Sequence, residues 1–116
     1  MPVTPEFRKD VESHLARISP TRSKAMFGGV ALYSGEYLYG ILDDDRIYFK
    51  VDETNIDDYI KMGSSPWTVS PGKVNAAYYE VPKEIWEIDM RIAEWISKAV
   101  KVAMHKAEGK NKKKSA

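Results

Sequence analysis

The sequence predicts an α+β domain: a five-stranded antiparallel sheet with helices packed on it, in the order α-β-β-β-α-β-β-α. Three observations predict it. Apolar residues recur at helical spacing near both ends of the chain. Between them lie short runs rich in β-branched and aromatic residues, separated by polar turns. These strands are grouped apart from the helices instead of alternating with them, which favours antiparallel pairing. The length of 116 residues suits one domain with a real core, and 43% hydrophobic content supplies it.

Thr4-Pro5 opens the first helix, with Thr4 as N-cap and Pro5 at the first helical position. Phe7, Val11, Leu15 and Ile18 form its apolar stripe, and Ser19-Pro20 ends it. From Lys24 the period changes. Ala25-Met26-Phe27 leads through Gly28-Gly29 into Val30–Tyr33 as one strand, the glycine pair marking a bulge or tight bend. Tyr37–Leu42 and Arg46–Val51 follow across the turns Ser34-Gly35-Glu36 and Asp43-Asp44-Asp45. Strict alternation places Tyr37, Tyr39 and Ile41 on one face, with Leu38, Gly40 and Leu42 on the other.

Thr54 and Asp57 have the spacing of a capping box for a short helix that Gly63 stops. Trp67–Val69 and Asn75–Val81 read as two strands around the Pro71-Gly72 turn. Pro82 starts a long helical region whose apolar residues run from Ile85 to Ala103, with a break near Glu87 and a fresh start at Asp89.

The net charge of +1 conceals an asymmetry. Through Ser97 the chain has 11 Lys and Arg against 16 Asp and Glu, a charge of −5. From Lys98 onward seven lysines face the single acid Glu108, a charge of +6. The expected organisation is a domain over 1–107 and a disordered basic tail over 108–116, because that tail has too little apolar surface to offset its ordering entropy. Lys110, Lys112, Lys113 and Lys114 are its candidate phosphate contacts.

Absence of cysteine excludes disulfides, thiolate metal sites and cysteine nucleophiles. No apolar run approaches the roughly 20 residues that span a bilayer, and no signal pattern opens the chain, so a soluble cytoplasmic protein is expected. Gly72-Lys73 lacks the rest of a phosphate loop, since Trp67 and Val74 stand where Gly and Ser or Thr are needed. Ser70-Pro71-Gly72-Lys73 matches a serine–lysine motif formally, without its partner motifs. A calcium loop from Asp43 fails at Tyr48 and Thr54, so the acids read as a solvated turn. Glu80 and Glu84 suit a helix start, and His14 borders an apolar stripe as a half-buried structural residue. His105 has no partner legible in the sequence. The expectation is no catalytic residue, no cofactor and no metal site.

The arrangement Arg22-x-x-x-Met26-Phe27-Gly28-Gly29-Val30 resembles the opening signature of the TfoX/Sxy N-terminal domain. The similarity continues through Gly40-Ile41-Leu42, Ile47–Asp52, Pro66-Trp67, Gly72-Lys73 and Tyr78-Tyr79-Glu80-Val81-Pro82. It implies a fold like that of secretion chaperones and a regulatory, non-enzymatic role in competence, assisting the cyclic-AMP receptor protein at promoters. Here the residues Met26, Phe27, Gly28, Gly29, Tyr78, Tyr79, Glu80 and Pro82 are motif positions read as structural. Full-length relatives carry a second helical domain where this chain ends in lysines.

Both strand faces carry apolar bulk, so helices should cover one and a partner should shield part of the other. The expected activity is therefore that of a regulatory or adaptor domain binding protein, a homodimer or the transcription machinery among its partners. The alternatives are a nucleic-acid accessory protein binding weakly through its basic tail, and a small ligand-binding domain. A membrane partner is not expected.

Overall fold

The computed structural model describes residues 2–26 and 28–115, with side chains described through Gly109. Helix α1 spans Pro5–Ile18, and Thr4 caps it by accepting the Phe7 N–H at 3.3 Å. A second tie holds this cap: Asp45 accepts from the Thr4 N–H at 2.8 Å and from its hydroxyl at 3.0 Å. Six strands follow: β1 (Arg22–Met26), β2 (Gly29–Ser34), β3 (Tyr37–Asp43), β4 (Arg46–Lys50), β5 (Pro66–Ser70) and β6 (Lys73–Glu80). Helix α2 (Ile56–Lys61) separates β4 from β5, and α3 (Lys83–Trp86) and α4 (Asp89–Ser115) close the order. All pairings are antiparallel in one sheet, β1-β2-β3-β4-β6-β5.

The α+β class stands, with six strands instead of five. The sequence reads Lys24–Tyr33 as one strand, whereas the chain reverses between Met26 and Gly29. The two glycines serve different ends. Gly28 has φ +79°, a turn conformation that a Cβ penalises. Gly29 passes so close to β3 that an added Cβ would lie 2.5 Å from the Leu42 carbonyl oxygen. Between them the pair makes a hairpin and a close backbone approach.

A further expectation is corrected. Thr54 does not form a capping box. Its N–H goes to Asp52 at 2.8 Å, while Asn55, the N-cap residue of α2, makes no side-chain cap. Asn55 is buried because it spans the loop, accepting from the Asp52 N–H and donating to the Lys50 carbonyl. At the other end, α4 runs to Ser115. Lys and Glu are good helix formers, and an anchored helix propagates at far lower cost than it nucleates.

The main core lies between the sheet and the helices. Val11 and Leu15 of α1, Ile92, Trp95, Ile96 and Ala99 of α4, and Tyr59 of α2 meet Leu32, Tyr39, Leu42 and Phe49. The strict alternation expected in β3 is broken. Leu32 is opposite Gly40 and Tyr33 is opposite Leu38, so Tyr39 and Gly40 together oppose one residue. This bulge turns Tyr39 into the main core with Leu42, and it sends Leu38 and Ile41 to the other face. Gly40 is what the crowding allows, since a Cβ there would stand 3.0 Å from the Tyr48 carbonyl oxygen and 3.1 Å from the Phe49 ring.

Candidate functional site

The second face of the sheet has a cluster of its own, built only from strand residues among those described. Ala31, Ile41, Tyr48 and Tyr78 are its buried members, and Met26, Tyr33, Leu38, Trp67 and Ala77 pack around them. Its cover comes from within the chain. Trp67 of edge strand β5 lies with its ring 5.7 Å from Tyr78 and 6.1 Å from Tyr48. The indole N–H donates to the buried Asp43 carboxylate at 2.9 Å. The shielding that the sequence assigns to a partner is thus partly supplied by β5. Burial pushes the Tyr78 hydroxyl up to about 12, and it raises Tyr48 as well, with the Glu80 charge adding to the effect.

Where β5 folds toward the β3–β4 turn it leaves a cleft of about 310 Å³. Asp43, Asp44, Arg46, Tyr48 and Glu80 line one side, and Ser65, Pro66 and the residues from Thr68 to Pro71 line the other. Arg46 meets Glu80 at 3.3 Å. The three turn acids go to three places: Asp43 to Trp67, Asp45 to Thr4, and Asp44 to the exposed tip. Asp44 and Asp45 both have φ +53°, the geometry of a two-residue hairpin turn that Gly or Asn adopts more cheaply. Among the described residues, no three acidic, His or Cys side chains are placed to hold a metal ion.

The motif positions sit around this face and its edges. Met26 ends β1 against the second cluster, while Phe27 lies outside the described residues. Tyr78 faces that cluster, and Tyr79 faces the main core, its ring 6.2 Å from Tyr59. Glu80 borders the cleft, and its carbonyl accepts from Ser64 Oγ at 2.6 Å. Pro82 is the N-cap of α3, its carbonyl accepting from Ile85 and Trp86. The side chains of Lys110, Lys112, Lys113 and Lys114 lie outside the described residues.

His14 is half-buried, as expected, but the sequence does not show its neighbours. Its Nδ1 accepts from Arg17 at 2.9 Å, so Nε2 carries the proton given to the Trp86 carbonyl at 3.0 Å. The imidazole packs 4.4 Å from the Trp86 ring, and Asp89 is 4.0 Å away. These groups lie more than 70 residues downstream, and no local pattern announces them. His105 is exposed on α4. Trp67 and Asp43 are likewise linked only by the fold.

Compared with protein families, residues 13–103 match the family described as the TfoX N-terminal domain. The chain belongs to that family. The match runs from the middle of α1 to Ala103, the last buried residue of α4 among those described. It takes in the second cluster, the β5 cover and the cleft, and the main cluster apart from Val11 and the residues before it. No curated protein matches the chain.

Proposed function

We propose that this TfoX N-terminal domain is a non-enzymatic regulatory or adaptor domain that works in the cytoplasm by protein–protein contact, in transcriptional regulation. The observation that carries this reading is the cleft beneath β5. Part of its polar lining is committed to internal pairs, Arg46 to Glu80 and the buried Asp43 to Trp67. Mutually satisfied groups suit recognition of a partner segment, because little is lost in ordering them on binding. The regulatory setting rests on the resemblance to the competence activators.

Surface plasmon resonance with purified RNA polymerase and cyclic-AMP receptor protein tests the reading. One of the two should bind saturably, with Kd on the order of 10⁻⁶ M. Thr68→Arg, an exposed change at the cleft wall, should weaken binding by about tenfold or more, or about 1.4 kcal/mol, while leaving the melting temperature unchanged. Failure of both proteins to bind, or binding indifferent to Thr68→Arg, would sink it.

A further inference from the structure

We propose that the C-terminal part of α4 is a cationic arm that binds the phosphate backbone of duplex nucleic acid without reading its sequence. This does not rest on the cleft or on its partner. Helix α4 is anchored by Ile92, Trp95, Ile96, Ala99, Val102 and Ala103, and among the described residues none beyond Ala103 is buried. The helix nevertheless continues to Ser115. At the helical rise this carries the backbone about 18 Å past its last core residue.

The charge on that stretch is set apart from the rest. Lys98 belongs to the body, bonded to Asp58 at 2.8 Å and 3.6 Å from Glu94. Lys101 and Lys106 are exposed, and Lys110, Lys112, Lys113 and Lys114 follow in sequence, against the one acid Glu108. Lysines in a last helical turn also serve the helix dipole, which reaches only about one turn. Lys101 and Lys106 lie well before that turn, so the dipole does not account for them. The body, at −5 through Ser97, repels phosphates and confines them to the arm. An anionic membrane is the poorer match. From position 104 to 115 only Met104 and Ala107 are apolar, too few to enter the acyl boundary as a surface helix does.

The test is fluorescence anisotropy of the full chain with labelled duplexes of about 20 base pairs, from about 20 to about 200 mM salt. Duplexes of unrelated sequence should bind equally, and log K should fall against log salt with a slope of about −5. Replacing Lys110, Lys112, Lys113 and Lys114 together by Gln should lower that slope by about 3 to 4, and K101Q/K106Q by about 2. Circular dichroism should show the folded core unchanged in both variants; Lys101 and Lys106 are exposed. Three results would each overturn the proposal: no duplex binding at the lowest salt, a slope indifferent to both sets of substitutions, or binding to phosphatidylserine vesicles without binding to duplex.

Discussion

Removing one oxygen from Tyr59 should stabilise the protein, and removing one from Tyr39 should destabilise it. Both side chains are almost wholly buried in the main core, at 1% and 0% exposure. They differ in what the hydroxyl meets. Tyr39 is 2.7 Å from Thr21 Oγ1, which itself donates to the Ser19 carbonyl. Tyr59 lies beside Trp95, ring centroids 4.4 Å apart, and its hydroxyl has no hydrogen-bond partner among the described residues. A buried polar group left unpaired costs about 1–3 kcal/mol, whereas a made hydrogen bond contributes about 1 kcal/mol. Tyr59→Phe should therefore gain about 1 kcal/mol, after the lost contacts of the oxygen are subtracted. Tyr39→Phe should lose about 1 kcal/mol. In a domain of this size each change moves the melting temperature by about 4 °C, in opposite directions. Urea unfolding with unchanged m-values is the measurement. If Tyr59→Phe loses as much stability as Tyr39→Phe, the hydroxyl has a partner and the reasoning fails.

Further outcomes follow from the same structure. Burial lifts the hydroxyls of Tyr39 and Tyr78 to about 12, so the folded state holds these protons longer than the unfolded chain does. Their contribution is complete below pH of about 10 and is lost as pH rises to about 12, by about 3 kcal/mol each, which denaturant unfolding across that window measures. Gly29→Ala should cost about 2–4 kcal/mol by forcing a Cβ onto the Leu42 carbonyl, and an unchanged melting temperature would refute the close approach. Asp44→Gly should add about 1 kcal/mol by relieving the φ +53° of an exposed residue, read as a higher urea midpoint. Trp67→Phe should cost about 2–4 kcal/mol, because it takes the indole N–H from a buried carboxylate and thins the cover over Tyr48 and Tyr78.

What could be read from the sequence was what neighbouring residues decide. Thr4-Pro5, the Phe7–Ile18 stripe, the Pro71-Gly72 turn and the restart at Asp89 are each set within a few residues, and each is found in place. The errors within the sheet fall where a distant strand decides. Gly28-Gly29 could be a distortion within a strand or a reversal between two, and the choice depends on Leu42. The bulge at Tyr39-Gly40 depends on how β2 sits against β3, and missing it places Tyr39 and Ile41 on one face when they lie on opposite ones. The cleft was the least legible feature, since Trp67 and Asp43 are 24 positions apart and neither flanking segment suggests the other. Family membership was more accessible, because a motif records such distant requirements as residue identities without giving their geometry.

The tie between Thr4 and Asp45 bears on the order of events in folding. The groups that complete the start of α1 are 41 positions away, on a turn between two consecutive strands. Such a hairpin closes a short loop and forms in microseconds, whereas a helix of 14 residues is marginal in water by itself. The β3–β4 hairpin must exist before Asp45 can hold Thr4, so α1 gains its full cap only after the middle of the sheet has formed. Helix α1 then locks after the β3–β4 hairpin although it precedes it in the chain, and the time it waits is set by a contact of high sequence separation.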